Sequence, residues 1–139
     1  MLSLQLSQQL KNLDNLQLIL EEEKQCLTKK EFSTFNELLF NKQKVLQSIA
    51  TLDKQLTTAE NLEKIKQSDD LISLKQNLEE TLQHCQKINE VNGKLVQLSM
   101  KSNKHLMQIM TQATGKNSIT YDQKGALNAG QLLGRNIQA

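Results

Sequence analysis

The side chains of this chain that could do chemistry are two histidines, two cysteines and 15 carboxylates in 139 residues. A metal centre needs three or four such ligands at helix- or loop-compatible spacing, and acid–base catalysis needs a base with an orienting partner. His84 and His105 stand 21 residues apart on what reads as one helix, with no ligand pattern around either. Glu79-Glu80 ahead of His84 reads as a solvated surface cluster. No glycine-rich phosphate loop and no nucleophile elbow occurs. These absences argue against an enzyme, a metal and a cofactor. Cys26 and Cys85 are too few for a disulfide scaffold. In the helix register set out below they are offset by roughly 10 Å along the axis, beyond the ~7 Å reach of a disulfide. Two reduced, inert thiols are expected.

The elements that would position these groups are helices. The chain has no proline, and four of its five glycines (Gly115, Gly125, Gly130 and Gly134) lie beyond residue 114. Nothing before that point reliably breaks a helix. Leu6, Leu10, Leu13, Leu16, Leu20 and Leu27 form one apolar face, with Glu21-Glu22-Glu23 assigned to the solvated side. Thr28 and Glu31 have capping-box spacing and suggest a break. A second face runs through Phe32, Phe35, Leu39, Leu46, Ile49, Leu52 and Leu56. Residues 57–67 are the least periodic, ending at Ser68-Asp69-Asp70, each a capable helix cap. A third face then runs from Leu71 to Ala113 with a mean spacing of 3.5 residues, the period of a coiled-coil seam. The expectation is an all-α fold: an antiparallel three-helix coiled-coil bundle over residues 1–113, with helices over 3–27, 31–58 and a long third helix over 69–113. Residues 114–139 are expected to form a flexible C-terminal tail, helical on contact with a partner.

Charge narrows the partners. Residues 1–113 hold 14 Lys and 14 Asp plus Glu, so the net charge of +2 arises in the tail. A balanced rod has no basic stripe, which disfavours nucleic acid and an amphipathic membrane-surface role. No apolar run reaches the ~18 residues of a membrane span. The N-terminus lacks the basic and apolar regions of a signal peptide. A cytoplasmic protein without membrane insertion is expected.

A helix over 69–113 outruns a first helix over 3–27. The overhang is about 20 residues, roughly 30 Å. It carries Leu95, Leu98, Met100, Leu106, Met107, Ile109 and Met110, including every methionine except the initiator. Each such side chain gains roughly 1.5–3 kcal/mol on burial, so the seam needs a cover. A second copy in a weak homodimer, the folded-back tail and a client protein are the three candidates. Methionine suits surfaces that repack around varied helices, although the same residues also suit a core seam. Asn89, Asn92 and Gly93 interrupt the pattern. They read as a kink, a close helix contact or a register-setting polar residue, or alternatively as a hinge where the overhang leaves the bundle. In the tail, Tyr121 is the only tyrosine, in a turn-rich stretch, and has the character of an interface anchor. Ala126, Gly130, Leu133 and Ile137 would align on one face of a short helix formed on contact, with Leu127 and Leu132 beside it.

Asn89-x-x-Asn92-Gly93-x-Leu95-Val96 on the last long helix, followed by Thr120-Tyr121-Asp122 and Gly125, resembles the FlgN family of flagellar export chaperones. In outline the resemblance covers the whole chain, with Lys42 and Lys44 before Val45-Leu46 in the second helix. It implies a small cytoplasmic all-helical chaperone that binds C-terminal helical segments of the hook–filament junction proteins FlgK and FlgL. Such a chaperone keeps them from premature assembly or degradation and delivers them to the type III export gate. By that resemblance, Tyr121, with Asp122 beside it, would dock on the gate protein FlhA. The overhang and tail would receive the client helix, the helix-in-groove mode. Two other readings are a homo-oligomeric structural coiled coil and a chaperone or adaptor of another secretion system.

Overall fold

The leucine stripes do become helices. The computed structural model describes residues 2–116 and is all-α. Its five helices are α1 (Leu2–Lys29), α2 (Phe35–Leu56), α3 (Ala59–Lys66), α4 (Asp69–Met100) and α5 (Lys104–Lys116). Two apolar clusters hold them together. The first joins Leu6, Leu13, Leu16 and Leu20 of α1 to Leu46, Ile49 and Leu56 of α2, Ile65 of α3, and Leu78, Leu82 and Cys85 of α4. The second gathers Leu27, Phe32, Phe35, Leu39 and Val96 around Leu106, Ile109 and Met110 of α5. Within it the Phe32 and Phe35 rings meet edge to face at 6.4 Å, a favourable aromatic geometry.

Polar side chains fix the register between helices. The Cys85 thiol donates to the Leu13 carbonyl at 3.6 Å, and the Asn92 amide donates to the Leu20 carbonyl at 2.8 Å. Both pairs are 72 residues apart, so α4 runs in the same direction as α1 at a constant offset. In the opposite direction, Gln9 of α1 donates to the Ile49 carbonyl of α2 at 2.9 Å. The offset brings Met100, the last residue of α4, level with the end of α1. The expected overhang is therefore absent: α4 sits about two turns lower on α1 than matching helix starts would put it, and it ends at Met100. Its first turns are covered by α3, whose Ile65 is buried against the same core as the half-buried Leu71 and Leu74.

Capping chemistry explains where the helices differ from the expected 3–27, 31–58 and 69–113. Thr28 does not start a second helix but lies in the last turn of α1. Lys30 then takes the left-handed conformation (φ 59°) and the Glu31 amide donates back to the Cys26 carbonyl at 3.0 Å. That is a Schellman ending, with lysine where glycine is usual, at a backbone cost of roughly 1–2 kcal/mol. Residues 57–67 contain α3, capped by Thr58, whose hydroxyl accepts from the Asn61 amide at 3.3 Å. Only one of its eight residues is buried, too few for a visible period. Ser68 caps α4 by accepting from the Leu71 amide, with Asp69 and Asp70 in the first turn where the helix dipole favours them.

The long third helix is instead two helices. Ser102 donates to the Ser99 carbonyl at 3.3 Å, and the Asn103 side chain accepts from the Leu106 amide at 2.9 Å. A hydroxyl competing for a backbone carbonyl and an asparagine N-cap together end α4 and start α5. The turn lets α5 fold back onto Leu27, Phe32 and Phe35. The chain bends at 101–103 and not at Gly93, which lies inside α4. Helical structure also runs through Gly115 to Lys116, beyond the expected limit of 113.

Candidate functional site

Two places in the fold bring polar or exposed apolar groups together. One is a buried junction of α1, α2 and α4. Lys42 enters it from α2 with no exposure, and its ammonium donates to Glu23 of α1 at 3.4 Å and to the side-chain oxygen Oδ1 of Asn89 of α4. Asn92, one turn further along α4, donates to the Leu20 carbonyl and to Glu23 at 3.3 Å. Glu23, Lys42, Asn89 and Asn92 are all fully buried. The assignment of Glu23 to the solvated face with Glu21 and Glu22 is thereby corrected: it falls on the Leu16–Leu20–Leu27 stripe and faces inward. Burial pulls the Lys42 ammonium below its usual range, and the adjacent Glu23 carboxylate opposes that pull. Both asparagines are buried and hydrogen-bonded across this close helix junction.

Cys85 lies next to this junction. Burial is the main force that pushes its thiol up to about 12, with the Asp14 and Glu21 carboxylates adding and Lys42 opposing. A thiol that is a poor thiolate is inert. In the unfolded chain it ionises near 9.0, so the unfolded state releases a proton that the folded state keeps. Stability should therefore fall as pH rises from about 9 to about 12. Urea melts across that range should lose part of this slope in Cys85→Ala; an unchanged slope would remove the thiol from the account. Both cysteines are free, and the observed register places Cys85 level with Leu13, about 20 Å along the axis from Cys26.

The second place is on the surface, where α4 ends and α5 begins. Lys94, Gln97, Leu98, Met100, Lys101 and Met107 line a groove of about 580 Å³. Leu98 is 63% exposed and Met107 49%. Of the other residues expected in a client seam, Leu95 and Met100 are half-buried against the second core cluster. Leu106, Ile109 and Met110 are buried within that cluster, because α5 turns back on the bundle. Their placement on an open seam is corrected: they cement α5 and leave Leu98 and Met107 outside. Tyr121, Asp122, Leu127, Leu132, Leu133 and Ile137 lie outside the described residues. His84 and His105 are exposed, and among the described residues no cluster of histidine, cysteine or carboxylate could hold a metal. No helix among them is long and apolar enough to cross a membrane.

Sequence reasoning missed the partners of the Asn motif, Glu23 and Lys42, and the cationic members of the groove, Lys94 and Lys101. For Glu23 a signal existed: it stands three residues after Leu20 and four before Leu27, on the apolar stripe. Among curated proteins and among solved structures nothing matches the chain. A family model described as FlgN protein matches residues 1–129. That span contains the whole buried junction, the groove and both motifs that carried the resemblance, and the chain belongs to the FlgN family of flagellar export chaperones, which bind flagellar hook-associated proteins.

Proposed function

We propose that this protein is a cytoplasmic type III export chaperone for the hook–filament junction proteins FlgK and FlgL. It holds their C-terminal helical segments, prevents premature assembly or degradation, and delivers them to the export gate FlhA. In this reading the three long helices, as an antiparallel bundle, are a platform, and the α4–α5 corner is the client site. The observation that carries it is the groove, where the exposed Leu98 and Met107 converge with Met100 on one concave surface. An amphipathic helix laid there would bury apolar area that the chain alone leaves in water. Calorimetric titration with each client, intact and lacking its C-terminal helix, tests the reading. Binding that survives the truncation would overturn it.

Gate docking is assigned to Tyr121 with Asp122, in the family-matched segment beyond α5. Tyr121→Ala should weaken FlhA binding at least tenfold, on the scale of an aromatic hot spot, while affinity for the client stays within about twofold. Equal loss of both would show that client grip and docking share one surface.

A further inference from the structure

Charge around the groove is strongly one-sided. Residues 91–121 contain no aspartate or glutamate but include Lys94, Lys101, Lys104 and Lys116. The rest of the rod leans the other way, residues 1–90 holding 11 Lys against 14 Asp plus Glu. Two of these lysines, Lys94 and Lys101, border the apolar floor of Leu98, Met100 and Met107, with Gln97 between them and no carboxylate in the lining. Lys94 is 74% exposed and already pairs with Glu90 at 3.7 Å, one turn back along α4. Lys101 is exposed at the turn into α5. The two lysines are seven residues apart, two turns of helix or about 10 Å.

From this we infer that the groove selects an amphipathic helix whose apolar stripe is bordered by carboxylates about two turns apart. This deepens the proposed client reading and rests on it. The same charge argues against the other occupants. Residues 117–139 carry Lys124 and Arg135 against Asp122 alone, so the chain's own tail brings like charge to a basic rim. A second copy seated on this face across a twofold axis would set Lys94 and Lys101 against themselves. Apolar area would supply the affinity, and the lysines would supply the choice between helices, by attraction to acidic flanks and repulsion of basic ones.

The test uses the full chain and three synthetic helical peptides sharing one Leu/Met stripe, flanked at positions seven apart by Glu, Gln or Lys. The Glu peptide should bind about tenfold tighter than the Lys peptide at low salt, with Gln between, and the gap should shrink at high ionic strength. In the Lys94→Glu/Lys101→Glu variant the order should reverse. Equal affinity of all three peptides would overturn the charge selectivity while leaving the client groove standing. Failure of every peptide, in a chain that still binds its client, would overturn the groove itself. Hydrogen exchange of residues 94–107 without peptide separates the rival occupants. Protection that grows with protein concentration means a second copy, protection independent of it means the tail, and either overturns the inference. Fast exchange that slows on adding the Glu peptide supports it.

Discussion

Placing aspartate at both Leu98 and Met107 should abolish client binding and leave the fold intact. Each side chain contributes roughly 1.5–3 kcal/mol when buried, so losing both should weaken binding at least 100-fold. The charge would also have to be desolvated under an apolar helix. Because Leu98 and Met107 are exposed in the free chain, their replacement should change stability by no more than about 0.5 kcal/mol. The contrast is Leu106, which is fully buried one residue before Met107. Leu106→Ala should cost about 2–5 kcal/mol by opening a cavity between α5 and the bundle. Calorimetry of binding, with thermal melts of the same samples, separates the two effects. Unchanged client affinity in the Leu98→Asp/Met107→Asp variant would move the client site elsewhere.

The second large effect is expected at the buried junction. Lys42→Met leaves the Glu23 carboxylate in the core without its counter-ion, and breaking one side of a buried pair costs about 3–5 kcal/mol. Against a total stability of roughly 5–15 kcal/mol, this lowers the melting temperature by on the order of 10 °C. Adding Glu23→Leu removes the stranded charge, and the double variant should regain at least half of the loss. A double-mutant cycle by urea denaturation measures this directly. A single-variant loss below about 1 kcal/mol would mean that the junction contributes register and little stability.

What could be read from the sequence follows from how many residues spoke for each feature. The faces of α1, α2 and α4 were legible because five or more leucines, isoleucines or phenylalanines repeat along each. α3 was not, since Ile65 alone carries its burial. The α4–α5 corner was hidden by its own periodicity: Leu98, Leu106 and Ile109 stay in step across a turn that Ser102 and Asn103 impose through hydrogen bonds of a few atoms. The register was hidden for a similar reason. Matching helix starts ignores the short α3, and α3 is what allows α4 to begin below α1. For the site, the exposed pair Leu98 and Met107 was named but could not be told from buried Leu106, Ile109 and Met110. Separating them requires knowing which way α5 turns. The Asn89–Asn92 motif was visible as a sequence pattern, whereas its meaning depends on Lys42 arriving from 47 residues away.

The constant 72-residue separation between the α1 and α4 partners also bears on how the chain is made. A ribosome adds roughly 5–20 residues per second, so the helix that covers α1 follows it by several seconds. During that interval α1 can pair only with α2, and Leu13, Leu16 and Leu20 wait half-covered beside a lysine and a glutamate that lack their asparagines. The nascent form of this protein is thus itself a holder of unsatisfied helical surface until α4 emerges.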